Sequence, residues 1–208
     1  MDFVGRQKTA VAALSRLVHE FESRWERHLI CTQLMTLCRN IHQNFVDSMT
    51  DFVVRKAFPT DLSPLYVLLK AKAEFDGAAH ALTASETELG AALFCDVPQC
   101  EVVVASTDSK LVGFASYYQV FSTYKARPGL WMDDLFVDSQ YRGRGIGLAL
   151  LKFLAGEAVR KNCCKLEWSL HKSNARGIAF YEREGAIVRE QNRFAKLDES
   201  GIARLIAN

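Results

Sequence analysis

The sequence has very little net charge. Its 26 Lys and Arg residues nearly balance its 24 Asp and Glu residues, which leaves a formal net charge of +2. Proteins that bind nucleic acids or membrane surfaces through their overall charge are usually strongly basic. We therefore expect neither a nucleic acid nor a membrane as a partner, and any electrostatic specificity must come from local clusters of charge.

Long apolar runs and paired cysteine motifs are also missing. No run approaches the ~20 apolar residues that span a bilayer, and the N-terminus shows no secretion signal. The six cysteines form no C-x-x-C pair, so we expect reduced thiols, no metal and a cytoplasmic location.

Glycine and proline are absent between Gly5 and Pro59. Apolar residues in this stretch follow helical spacing in two stripes that are out of phase. We predict a helical N-terminal extension over residues 1–50, followed by a separate domain over residues 51–208.

The domain from Asp51 onward alternates short β-like runs with helical ones, which predicts a mixed α/β fold. Glycine-, Pro- and Asp-containing turns separate these runs. The predicted strands lie at residues 52–57, 101–106, 111–118, 130–137 and 163–171, with a closing hairpin after Gly185. Helices are predicted from Leu62, Ser85, the glycine-rich stretch at 140–147, and Asn174.

The stretch QYRGRGIG at residues 140–147 carries glycine at every second position between a predicted strand and a predicted helix. Glycines allow a positive φ, and a helix N-terminus presents free N–H groups to an anion. The spacing matches neither the Rossmann nor the Walker pattern, but it fits R-x-x-G-x-G at Arg142, Gly145 and Gly147. Alone, a tight turn with arginines in solvent would explain it as well.

Two flanking motifs accompany this stretch, namely GLWMDDLFV upstream and NARGIAFYEREGA at residues 174–186. Together the three motifs resemble the GNAT superfamily of N-acetyltransferases. The resemblance implies a central, mostly antiparallel twisted sheet flanked by helices, acetyl-CoA as co-substrate, and a homodimer. The implied coenzyme-binding residues are Leu135, Phe136, Val137, Arg142, Gly143, Arg144, Gly145, Ile146, Gly147 and Asn174.

Within the superfamily, the chain is similar to the diamine (spermidine/spermine) N-acetyltransferases and their thialysine-acetylating relatives. Acetyl transfer to an amine requires a base for the ammonium proton and an acid for the departing thiolate. The resemblance implies Asp133 as the base and Tyr181 as the acid. Asp134, or a water held by either aspartate, is an alternative base. In a regular strand the two aspartates would point to opposite faces.

A polyamine acceptor requires several carboxylates, because each bound ammonium group needs a partner. The resemblance implies Phe75, Asp76 and Asp133 as acceptor-binding residues. Asp134, Glu167 and Trp168 are further predicted acceptor-binding residues. A lysine-like amino acid and a protein amine are alternative acceptors, and a non-catalytic acyl-CoA-binding module is an alternative function. The presence of both Asp133 and Tyr181 favours an enzyme, because a binding module needs neither.

Overall fold

The computed structural model describes residues 51–108 and 110–207. The predicted helical extension over residues 1–50 lies outside the described residues. These fall into two compact units, one ending at Glu167 and the other beginning at Trp168.

The described residues of the first unit form five strands and three α-helices. The strands are β1 (Val53–Lys56), β2 (Glu101–Ser106), β3 (Leu111–Ser122), β4 (Arg127–Val137) and β5 (Leu166–Glu167). The helices are α1 (Leu62–Phe75), α2 (Glu86–Leu93) and α3 (Ile146–Arg160), with short 3-10 turns at Pro59–Asp61, Ala79–Ala81 and Ser139–Tyr141. The second unit contains α4 (Ala175–Arg183) and α5 (Glu199–Ala207).

The five strands form one sheet in the order β1-β2-β3-β4-β5. The first three pairings are antiparallel, and β5 pairs with β4 in parallel. This arrangement confirms the predicted mixed α/β fold with a mostly antiparallel sheet.

Helices cover both faces of the sheet. On one face, Leu65 and Leu68 of α1 form a buried cluster with Val104, Phe114 and Phe136 of the sheet. On the other face, α3 packs against β2, β3 and β4. Alternate side chains of each strand supply the two layers of core, which is why the strands read as nearly continuous apolar runs.

A polar cluster closes the far end of the α3 face. The hydroxyl of Tyr117 lies 3.2 Å from Glu101 and 3.3 Å from Glu157. Two hydrogen bonds from Arg160 are the main reason that the pKa of Glu157 falls to about 2. The cluster ties β2, β3 and the end of α3 together.

Two expectations for the C-terminal part are wrong. The strand predicted over 163–171 shortens to the two residues of β5, and residues 187–197 contain no strand where the closing hairpin was expected. Ile187 is 85% exposed and Phe194 is 79% exposed. An alternating pattern does not produce a hairpin when neither face of it is buried.

No helix in the described ranges combines the length and the apolar character needed to cross a bilayer.

Candidate active site

The glycine-rich stretch forms a tight connection between β4 and α3. Gly143 has φ +78° and Gly145 has φ +85°, a backbone conformation that glycine adopts without steric cost. A Cβ atom added to either residue would meet nothing within 4 Å. Glycine is therefore needed here for the backbone conformation, and the space beside the loop is open.

Gly145 is the N-cap of α3. Its carbonyl accepts the N–H of Ala149 at 2.9 Å, so the N–H groups of residues 146–148 precede the first intrahelical donor. Gly147 lies inside the helix without a positive φ. The first turn of α3 therefore presents donors and the positive end of the helix dipole to the open space.

Arg142 fastens the loop to the end of the sheet. Its Nε donates to the carbonyl of Val137 at 2.9 Å, and its guanidinium lies 4.6 Å from the ring of Phe75 and 5.6 Å from that of Phe136. The structure thus places Phe75 beside the glycine loop, where it supports Arg142. Arg144 is nearby, with its guanidinium 4.9 Å from the ring of Tyr141.

Asp133 is the extra residue of a β-bulge in β4. Ser116 pairs with Asp134, while the next residue of β3, Tyr117, already pairs with Met132. The expectation that Asp133 and Asp134 point to opposite faces is therefore wrong, because a bulge interrupts the alternation of side chains.

The register shows which face the two aspartates share. Ser116 and Tyr118 alternate onto one face of β3, and their partners across the ladder are Asp134 and Trp131. Asp133 lies two residues from Trp131 and so shares its face by local alternation. Both carboxylates consequently lie on the α1 face of the sheet.

Asp134 is held by two side chains. Its Oδ1 lies 2.8 Å from Nζ of Lys72. Its Oδ2 accepts a hydrogen bond from the Ser116 hydroxyl at 3.0 Å, and its backbone N–H donates to Oγ of Ser116 at 3.1 Å. Lys72 also lies 2.5 Å from Asp76 of the same helix. Asp76 and Asp134, both predicted to bind the acceptor, thus share one lysine.

Asp133 lies in a different environment. The surrounding protein partly desolvates this surface carboxylate, and that desolvation together with the neighbouring charge of Asp134 raises its pKa, although a hydrogen bond from the Trp131 side chain and the charge of Lys72 oppose the shift. Burial also raises the pKa of Cys100 to about 11, with the charge of Asp133 contributing. Asp133 is therefore a stronger base than a freely exposed aspartate.

The ladder between β4 and β5 is short. It consists of two pairs, Leu130 with Leu166 and Trp131 with Glu167, whereas β4 continues to Val137. In the part of the chain that the structure describes, the rest of β4 has no strand partner on this edge. Residues 135–137 pair with β3 on their other side, so only their backbone groups that point away from β3 have no ladder partner on this edge among the described residues.

At this edge of β4, residues 135–137 present mainly backbone groups, because their side chains are largely buried. Phe136 and Val137 are buried, and Leu135 is half-buried. Glu167, the predicted acid of β5, pairs with Lys165 at 2.6 Å.

The second unit contains the remaining predicted residues. Asn174 is the N-cap of α4, because its Oδ1 accepts the N–H of Gly177 at 2.9 Å. Tyr181 is buried within this helix, and its ring lies 4.7 Å from that of Trp168 and 4.9 Å from that of Phe180. Trp168, predicted to line the acceptor site, thus packs against the predicted acid catalyst.

Three residues of the site were not predicted from the sequence, namely Lys72, Ser116 and Trp131. The spacing of Lys72 and Asp76, four residues apart on a helix, could have suggested their ion pair. Nothing in the sequence connects Lys72 or Ser116 with Asp134, because the bulge and the sheet register create those contacts.

In residues 51–108 and 110–207, no group of three or more His, Cys, Asp or Glu side chains is placed to hold a metal ion. The site is built from backbone donors, two arginines and a small set of carboxylates.

The chain has related sequences and related structures. The pattern of the Acetyltransferase (GNAT) family matches residues 69–186, more than half of the chain. The mouse thialysine N-epsilon-acetyltransferase is 30% identical over 141 residues, which cover 64% of this chain and 82% of that protein. The spermine/spermidine N(1)-acetyltransferase of Bacillus subtilis is 31% identical over 81 residues, which cover 38% of this chain and 53% of that protein.

Among solved structures, an integron cassette protein from the mobile metagenome of V. cholerae superimposes with a TM-score of 0.63 and 27% identity. The superposition covers 76% of this chain and 99% of that one. These findings confirm the resemblance drawn from the three motifs. The chain belongs to the GNAT family of acetyltransferases.

Proposed function

We propose that this protein transfers an acetyl group from acetyl-CoA directly to a primary amine of a small diamine- or polyamine-like acceptor. The observation that carries the proposal is the bulge of β4, which places Asp133 and Asp134 on one face with different partners. One acid is neutralised by a lysine, and the other retains a raised pKa suited to accepting a proton.

The glycine loop fits the coenzyme. Open space beside Gly143 and Gly145, the N–H groups of the first turn of α3, and two arginines suit a pyrophosphate. The backbone groups of residues 135–137 that point away from β3 would provide further contacts. For Asn174, a coenzyme contact rests on the family resemblance. Acetyl-CoA supplies the acetyl group as an activated thioester.

Asp133 has the proton-accepting role. An alkyl ammonium group has a pKa near 10, so it must lose a proton before it can attack a carbonyl. The raised pKa of Asp133 makes this carboxylate a better acceptor of that proton, directly or through a water. Asp134 is less suited to the role, because its two oxygens already accept from Lys72 and Ser116.

Tyr181 has the proton-donating role in this proposal. A neutral phenol can protonate a departing thiolate. Packing of Tyr181 between Trp168 and Phe180 fixes the ring within the second unit, which supports a positioned donor.

A second candidate acceptor is the side-chain amine of a lysine-like amino acid. The pairing of Asp76 and Asp134 with Lys72 favours it, because fewer carboxylates remain for a polycation. The mouse relative is named for thialysine, which has this kind of amine. A protein amine and a non-catalytic acyl-CoA-binding role are the alternatives that the experiment below separates.

Homodimer formation and a cytoplasmic location also remain proposals. The first follows from the resemblance to the diamine acetyltransferases, and the second from the sequence analysis.

The experiment is turnover of acetyl-CoA with a panel of amines, with mass spectrometry of each product. The panel contains a monoamine, a diamine, spermidine, spermine, lysine, thialysine and a lysine-containing peptide. We expect acetylated small primary amines and release of free coenzyme A in equal amounts. Coenzyme binding without any acetylated product would favour the binding module, and a peptide product alone would favour a protein acceptor.

A further inference from the structure

Lys72 brings a positive charge into the group of acids proposed to bind the acceptor. It lies in α1 one helical turn before Asp76, and its Nζ is 2.5 Å from Asp76 and 2.8 Å from Asp134. Its side chain is only 22% exposed. Burial alone would lower the pKa of Lys72, but the two carboxylates outweigh that effect and raise it, so the lysine is charged at neutral pH.

The three acids near Lys72, namely Asp76, Asp133 and Asp134, differ in their hydrogen-bond and ion-pair partners. Asp76 and Asp134 share the Lys72 ammonium, and the second oxygen of Asp134 is occupied by Ser116. Asp133 has no ion-pair partner among the described residues and accepts a hydrogen bond from Trp131. The lysine thus occupies the carboxylates at which the second ammonium group of a diamine or polyamine would bind.

We propose that Lys72 is a specificity-determining residue that competes with the acceptor for Asp76 and Asp134 and so limits the number of ammonium groups the site accepts. This inference rests on the proposed function. An incoming polyamine must displace the Lys72 ammonium, which is tethered next to its carboxylate partners. The binding of each acceptor ammonium beyond the reacting one is therefore less favourable. Among diamine- and polyamine-like acceptors, those with the fewest cationic groups beyond the reacting amine suit this charge arrangement best.

The geometry favours this role over simple support of the helix. An ion pair between residues four apart on an exposed helix face contributes only ~0.3–0.5 kcal/mol, and Asp76 is 41% exposed, so it needs no partner for folding. The Lys72 side chain instead reaches across to β4 and meets Asp134, the neighbour of the proposed base. If Lys72 had a purely structural role, its replacement would change kcat/KM equally for all amines.

The test replaces the charge of Lys72 and compares acceptors of different charge. Lys72→Gln removes the ammonium, and Lys72→Arg retains a positive charge at the same place. The matched control is Lys70→Gln, which removes the same charge from the same helix, where Lys70 lies 4.5 Å from the Tyr66 ring. If the Lys72→Gln variant unfolds below the assay temperature, Lys72→Met is used in its place, because Met also removes the charge and keeps an unbranched side chain at this half-buried position.

The readout is the ratio of kcat/KM for spermine to kcat/KM for a monoamine, together with the Kd of spermine by calorimetry. We expect Lys72→Gln to raise the ratio at least tenfold, mainly through a lower KM for spermine, while Lys72→Arg and Lys70→Gln leave it near the wild-type value. A folded Lys72→Gln protein with an unchanged or lower ratio would overturn the inference alone. A wild-type protein that acetylates no amine would instead overturn the proposed function on which the inference rests.

Discussion

Asp133 and Asp134 are identical and adjacent residues with different chemical environments. Asp134 is fixed by Lys72 and Ser116, whereas Asp133 has a raised pKa and no ion-pair partner among the described residues. The sequence predicted the importance of both, because two acids in an apolar strand are unusual. It could not predict their common face, since an insertion in one strand is visible only when the partner strand is aligned with it.

The proposed proton donor can be tested by removing one functional group. Tyr181→Phe removes only the hydroxyl, and the contacts of the ring with Trp168 and Phe180 can persist. We expect kcat to fall by about a hundredfold while the Kd of acetyl-CoA is retained. Tyr124→Phe is the matched control, because Tyr124 is a fully exposed tyrosine in the turn between β3 and β4. Equal activity of the two variants would place the proton donor elsewhere.

The end of α1 is connected with the end of β4 by side-chain contacts. Phe75 supports Arg142, and Lys72 reaches Asp134. The glycine loop itself was predictable, because strand, glycine-rich turn and helix follow one another in the sequence. Phe75 and Asp76 at the end of α1 were also predicted, but the contacts of Phe75 with Arg142 and of Lys72 with Asp134 were not. These contacts join residues far apart in the sequence and depend on how the helix packs across the sheet.

The glycine loop is tested by two substitutions of equal shape. Asp and Asn both tolerate the positive φ of Gly145 better than most residues, but only Asp adds a negative charge beside the proposed pyrophosphate. We expect Gly145→Asp to bind acetyl-CoA at least tenfold more weakly than Gly145→Asn in calorimetry, about 1.4 kcal/mol. If the two variants bind with equal affinity, the coenzyme pyrophosphate does not lie at this loop.

The order of strands and helices in the first unit was predictable from the alternation of β-like and helical runs in the sequence. The same approach failed after residue 163, where β5 shortened and the expected hairpin was absent. The apolar residues there, such as Ile187 and Phe194, are largely exposed. Local patterns predict strands only where a second layer buries one face, and the sequence does not show which segments acquire that layer.

The two aspartates also give opposite contributions to the stability of the whole fold. A carboxyl group with a raised pKa is destabilising when it is ionised, so the charge of Asp133 costs stability above the ordinary pKa of aspartate. The charge of Asp134 is compensated by Lys72 and Ser116, and its removal leaves the half-buried lysine with Asp76 alone. The charge of Asp133 would therefore lower the free energy of unfolding, whereas the charge of Asp134 would raise it.

Melting temperature and kcat of Asp133→Asn, compared with those of Asp134→Asn, test the proposed role of Asp133 as the base. At pH 7 we expect Asp133→Asn to melt higher than the wild type and to lose kcat by about a hundredfold. Its gain in melting temperature should disappear as the pH falls below the ordinary pKa of aspartate, where the wild-type carboxyl is protonated in both the folded and unfolded states. Asp134→Asn should melt at a lower temperature than the wild type, because its free energy of unfolding is lower by on the order of 1 kcal/mol. An Asp133→Asn protein that is less stable than the wild type and retains full kcat would contradict the assignment of Asp133 as the base.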